Sequence, residues 1–162
     1  MSSKGFEGLE AWQKARQLMV AVHKQVVPAL PPTEKWDLAS QIQRSSKSVM
    51  ANIAEGYGRY YYQDSVRLCY IARGSLDETI NHLVTALDLN YIPRDAYDDL
   101  RALADEARRL LNGYINFLKR RKQGENEPGG HIATRESWDI YEIHSSDTDD
   151  AAQQLADHRK PN

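Results

Sequence analysis

Residues 41–56, QIQRSSKSVMANIAEG, constrain the fold of this chain more than any other stretch. Leu38, Ile42, Val49 and Ile53 recur with a period of roughly 3.6 residues, the pattern of an amphipathic helix. Ser45 lies on the same stripe, and Ser46, Ser48, Ala51, Asn52 and Ala54 surround it with further small side chains. A helix face this short fills its core only if a neighbouring backbone comes close. Arg44 and Lys47 stand three apart and share another face. Asn52 and Glu55 precede Gly56, Tyr57 and Gly58, where the helix is predicted to stop. Two polar residues beside such a turn have two readings, a hydrogen-bond clamp or a binding site. Buried polar groups are ordinarily paired within the protein, which favours the clamp.

Three more stretches supply partners. Leu9, Trp12, Ala15, Met19, Val22 and Val26 predict a first helix over residues 9–27, ended by Pro28, Pro31 and Pro32, with Phe6 packed beneath it. Thr33, Glu34 and Asp37 read as the start of the second helix, with the Thr33 hydroxyl as N-cap. A third helix, capped by Asp64 or Ser65, carries Val66, Cys69, Leu76, Ile80, Leu83 and Leu87. Gly74 and Ser75 interrupt its bulk. Glycine in a helix interior costs about 1 kcal/mol relative to alanine, so Gly74 is expected to mark a close approach to residues 48–51. After Pro93, Asp95 opens a fourth helix with Tyr97, Leu100, Ala104, Ala107, Leu111, Tyr114 and Leu118 on one stripe and Leu103, Leu110 and Phe117 beside it. This wider apolar face is expected to touch a second subunit as well as its own bundle. The 162 residues suffice for one such core without metal or disulfide.

Composition bounds the function classes. The chain is 41% hydrophobic and 27% charged, and no run approaches the roughly 18 apolar residues of a membrane span. Residues 1–8 lack the apolar region of a signal peptide, and the single Cys69 can form no internal disulfide, so a cytoplasmic protein is expected. Residues 1–123 hold 18 Lys and Arg against 14 Asp and Glu, a net of +4; residues 124–162 hold 3 against 9, a net of −6. The first part is read as the folded domain. The second, rich in Gly, Pro, Asp, Ser and Thr, reads as a disordered acidic tail that is able to mask a basic surface, with Trp138, Ile140, Tyr141 and Ile143 as a docking cluster.

The motifs give no chemistry. None of the five histidines has metal-ligand spacing. The run from Gly56 to Tyr61 begins like a phosphate-cradling glycine loop, but tyrosine stands at its third glycine and a helix precedes it. Ser45, Ser46, Lys47 and Ser48 form no nucleophile motif. Asp77, Glu78 and Glu106 are ordinary helix-surface carboxylates, so neither enzyme nor cofactor is expected. Arg59 followed by Tyr60, Tyr61 and Tyr62 can stack on bases or cover the bundle end, and covering it is the simpler role. Lys119, Arg120, Arg121 and Lys122 complement a helix C-terminus, an effect of about 0.3–1 kcal/mol per exposed charge, though four in a row exceed what that requires.

The order of residues adds a resemblance. Residues 6–15 (FEGLEAWQKA), 38–45 (LASQIQRS), 52–56 (NIAEG) and 71–78 (IARGSLDE) resemble, in sequence order, the bacterial four-helix-bundle proteins encoded in 23S ribosomal RNA intervening sequences. The resemblance covers roughly residues 6–122. It implies an all-α, up-down-up-down antiparallel bundle and a ring-like homo-oligomer, a pentamer. That family is also similar to the accessory variability proteins of diversity-generating retroelements, which pair with a reverse transcriptase and bind nucleic acid. Arg44, Asn52, Glu55, Gly56, Arg73, Gly74, Ser75 and Glu78 match the shared segments, and a structural role for them is expected, with Arg44 and Arg73 pairing with Glu78 and Glu55.

The resulting expectation is a non-enzymatic, oligomeric accessory protein that binds nucleic acid through Lys47, Arg59, Arg108, Arg109, Lys119, Arg120, Arg121 and Lys122, alone or with a reverse transcriptase. The alternative is a protein-interaction scaffold ring that makes no nucleic-acid contact.

Overall fold

Hydrogen-bonded hydroxyls fix how the helices face one another in a computed structural model, which describes residues 5–126. The expected acidic tail lies outside the described residues from 127 onward. Four helices carry the fold: α1 (Glu10–Ala21), α2 (Leu38–Tyr57), α3 (Tyr62–Asp88) and α4 (Arg94–Arg121). No strand occurs among the described residues. Ser45 Oγ lies 2.9 Å from Thr79 Oγ1, and Ser48 Oγ 2.9 Å from Ser75 Oγ. As α2 advances by three residues α3 retreats by four, so the two helices run antiparallel. Arg73 with Asn112 and Asp77 with Arg108 set the same antiparallel register between α3 and α4. Each helix packs on its neighbours in chain order, and α4 closes on α1, where Lys14 Nζ lies 2.8 Å from Glu106. The small residues of α2 therefore do what their size requires: Ser45 and Ser46 are buried beside Ile42, Val49 and Ile53.

The stripes need small corrections. In α1 the buried line is Ala11, Ala15, Leu18, Val22 and Val26, which leaves Trp12 and Met19 half-buried at its edges. The helix continues through a π-helical turn (Val22–Val26) and a 3₁₀ turn (Val27–Ala29) that takes in Pro28, so only Pro31 and Pro32 lie beyond its end. Below it the Phe6 ring meets Trp12 edge-on at 5.3 Å. In α4, Leu100, Ala104, Ala107, Leu111 and Ile115 are buried, whereas Phe117 is 43% exposed.

The helix starts also differ from expectation. Thr33 lies in a separate 3₁₀ turn (Pro32–Glu34), and α2 begins at Leu38, whose N–H donates to Glu34 Oε2 at 3.3 Å. The free amide is met by a carboxylate four residues upstream rather than by the Thr33 hydroxyl. Nor do Asp64 and Ser65 cap α3. Its N-cap is Tyr61, whose carbonyl accepts from the Ser65 N–H at 3.3 Å. At the far end Asn90 adopts φ 57°, the left-handed cap conformation, and the Tyr91 N–H returns to the Ala86 carbonyl at 2.8 Å.

Gly74 marks no close approach. A Cβ there would meet nothing within 4 Å, because the residue faces outward and Ser75 takes the contact with α2. Gly56 is the tight position: a Cβ would lie 3.1 Å from the Ser65 carbonyl oxygen and 3.3 Å from Leu68 Cβ. There α2 and α3 converge before the turn that joins them.

Candidate nucleic-acid interface

That turn spans only residues 58–61, so it delivers Arg59, Tyr60 and Tyr61 to the end of the bundle where α4 terminates. The Tyr62 N–H donates to the Gln123 carbonyl at 3.1 Å and ties the two segments together. Ser65 Oγ lies 3.4 Å from the Arg59 carbonyl and 3.3 Å from that of Tyr61, holding the turn from inside. Beyond α4, Lys122 takes a left-handed conformation and Gly124 has φ 81°. A Cβ at Gly124 would lie 2.5 Å from Tyr61 Cδ1, so only glycine lets the chain pass beneath that ring. The Tyr60 and Tyr61 rings meet edge-on at 5.3 Å.

Cations and aromatic rings alternate along the α3–α4 side that leads to this end. The Arg73 guanidinium lies 4.7 Å and the Lys119 ammonium 5.6 Å from the Tyr70 ring centre, and Arg73 Nη1 donates to Asn112 Oδ1 at 3.3 Å. Arg121 lies 5.8 Å from the centre of Phe117, which stacks on Tyr114 at 6.3 Å. Burial, followed by the neighbouring Cys69 and Tyr57, pushes the Tyr114 hydroxyl up to about 12. Tyr60 is 53% and Tyr57 44% exposed. Arg59 pairs with Glu55 one turn back on α2, and both side chains are about half exposed. Such a pair contributes little to stability and exchanges readily for another anion. Beside it Asp64, Arg67, Leu68 and Ile71 line a shallow groove of mixed charge.

The structure divides the residues expected to bind nucleic acid. Arg59, Lys119, Arg120, Arg121 and Lys122 share this end. Lys47 lies elsewhere, on the exposed side of α2 near His23, whose basicity is lowered by burial and then by the Lys47 charge. Arg108 is engaged with Asp77 between α3 and α4, while Arg109 is exposed beside it. The position of Tyr70 between Arg73 and Lys119 is not foreseen from the sequence, although the spacing of three residues puts Tyr70 and Arg73 on one helix face.

The shared-segment residues also sort differently. Asn52 is a clamp: its Nδ2 donates to the Ser48 carbonyl at 2.8 Å and lies 3.0 Å from Ser48 Oγ. Glu55 is not, being paired with Arg59 at the surface. The expected cross-helix pairs do not form. Arg73 turns to Asn112, Glu78 lies 3.6 Å from His82 Nε2, and Arg44 is exposed without an ion pair among the described residues. Two hydroxyl pairs cross from α2 to α3, Ser45 with Thr79 and Ser48 with Ser75, and these acidic and basic side chains take no part in them. Cys69 is a core residue, its thiol pushed up to about 12 by burial.

The model of the 23S rRNA-intervening sequence protein family matches residues 7–113. The chain belongs to this family. A solved member of the S23 ribosomal protein family from Bacteroides thetaiotaomicron, a protein of unknown function, superposes with a TM-score of 0.60 at 24% identity. The match covers 65% of this chain and 97% of that one, and it supports the four-helix fold. No curated protein matches the chain. The 23S rRNA-intervening sequence match takes in the tyrosine turn and Arg73 but stops before Lys119, so the basic run that closes α4 lies beyond the matched residues. Among the described residues no helix is long and apolar enough to cross a membrane.

Proposed function

We propose that this family member is a non-enzymatic, cytoplasmic, homo-oligomeric accessory protein that binds RNA or DNA at the α4 end of its bundle. The observation that carries the reading is the tether from Tyr62 to Gln123, which holds Arg59 and the tyrosine turn against the end of α4, beside Lys119, Arg120, Arg121 and Lys122. Five cations on one rigid end supply the sequence-independent attraction to phosphate that such binding needs. Oligomerisation, with a pentamer as the assembly implied by the family resemblance, is supported by an exposed, low-relief face on α2 and α3 where Ala51, Ile71 and Gly74 meet solvent. Titration of the full chain with mixed-sequence RNA and DNA tests the proposal. Binding should be tight at about 50 mM salt and weaken by two to three orders of magnitude, roughly, at about 200 mM. Absence of binding to either at low salt would overturn it.

A second reading has its own observation. Trp36, next to α2 at the opposite end, is 83% exposed, with the Lys35 ammonium over its ring at 4.9 Å. An exposed tryptophan is a favoured anchor at protein interfaces, which supports a scaffold that holds a protein partner such as a reverse transcriptase. Partner capture that survives high salt and is lost in Trp36→Ala would favour this reading.

A further inference from the structure

We infer that the ligand at the α4 end is a single-stranded nucleic acid and not a duplex, an inference that rests on the nucleic-acid reading above. Cations alone do not distinguish the two, since both present phosphates. The rings do. Tyr60, Tyr57 and Phe117 account for half of the large hydrophobic side chains that stand exposed among the described residues, and all three gather at this end. Covering the bundle end does not explain them: Tyr61, half-buried over Gly124, already performs that role, while Tyr60 beside it stays 53% in water.

The rings are also held in place before any ligand arrives. Tyr60 sits on a turn pinned by Ser65 and by the Tyr62–Gln123 hydrogen bond, edge-on to Tyr61 at 5.3 Å. Phe117 is stacked on Tyr114 with only 17° between the ring planes. Ordered aromatic surfaces lose little side-chain freedom on binding. Phe117 has the Arg121 guanidinium 5.8 Å from its ring centre, and the turn that carries Tyr60 also carries Arg59, whose guanidinium pairs with Glu55 at the surface. A single strand offers its base faces to such rings while its phosphates meet the cations; a duplex keeps those faces inside its own stack. Stacking does not depend on base identity, so the site discriminates strandedness and not sequence.

Fluorescence anisotropy of the full chain with a mixed-sequence strand of about 12 nucleotides and with the matching duplex tests this directly. The single strand should bind more tightly. Tyr60→Ala should weaken single-strand binding by about tenfold while leaving duplex binding and the salt slope unchanged, and Phe117→Leu should act in the same direction. Tyr60→Leu, which keeps the bulk without the ring, should behave like Tyr60→Ala, and circular dichroism should show both folded. Lys119→Gln should weaken both ligands. If the tyrosine variants weaken strand and duplex equally, or neither, the inference is overturned while the nucleic-acid reading stands. If the wild type binds neither oligonucleotide, or binds only an acidic polypeptide such as poly-glutamate, both fall.

Discussion

At the scale of single residues two hydroxyl pairs, Ser45 with Thr79 and Ser48 with Ser75, interrupt the apolar packing between α2 and α3. Thr79 Oγ1 is fully buried, 2.9 Å from Ser45 Oγ and 2.8 Å from the Ser75 carbonyl. Thr79→Val keeps the shape and removes that hydroxyl, leaving Ser45 with only its longer contact of 3.3 Å to the Ile42 carbonyl. A loss of about 1–2 kcal/mol is expected, read as a lower denaturant midpoint at unchanged slope. Burial of acidic hydrogens gives a second expectation. Tyr114 and Cys69 are both pushed up to about 12, from ordinary values of 10.0 and 9.0. Above their ordinary values the unfolded chain gives up these protons while the folded chain retains them. Stability is therefore full below about pH 9 and falls as pH rises towards 12. Denaturation midpoints across pH 8 to 11 should show this fall, and Tyr114→Phe should flatten it.

At the scale of elements two glycines, alike in sequence, behave oppositely. Gly56→Ala should destabilise, because the added Cβ meets the Ser65 backbone oxygen at 3.1 Å, and backbone inside a packed turn yields poorly. Within one subunit Gly74→Ala should stabilise by about 0.5–1 kcal/mol, because the helix gains propensity and the methyl meets nothing of its own chain within 4 Å. Thermal melts of the two variants check the signs. This pair also shows what the sequence can and cannot carry. Four helices, the α2 stripe of Leu38, Ile42, Ser45, Val49 and Ile53, and a stop within residues 56–58 are legible, because periodicity and helix-ending residues are local signals. Which of Gly56 and Gly74 faces the partner is not, since one residue of rotation on a helix turns a side chain by about 100°. The starts of α2 and α3 were misplaced for a related reason. Thr33 and Asp64 have the chemistry of caps, but Glu34 and the Tyr61 carbonyl meet the free amides in the folded chain.

At the scale of the whole molecule the fold does what no segment does alone, which is to bring residues 59–62 and 119–123 to one end. The sequence showed each cluster separately, a tyrosine run with one arginine and a run of four cations. Their proximity depends on two helices of the right lengths, with α3 (Tyr62–Asp88) leading away from that end and α4 (Arg94–Arg121) returning to it. The same geometry places Lys47 and Arg108 away from this end, Lys47 on the exposed side of α2 and Arg108 midway along α4 opposite Asp77. Their loss should leave nucleic-acid affinity nearly unchanged. The most direct test of the account is therefore the salt dependence of single-strand binding by the full chain, compared between wild type, a Lys119→Gln, Arg120→Gln, Arg121→Gln triple variant, and Lys47→Gln. The account predicts that the triple variant flattens the slope of log affinity against log salt by about 2, while Lys47→Gln keeps the wild-type slope. Equal slopes for the triple variant and wild type would contradict it.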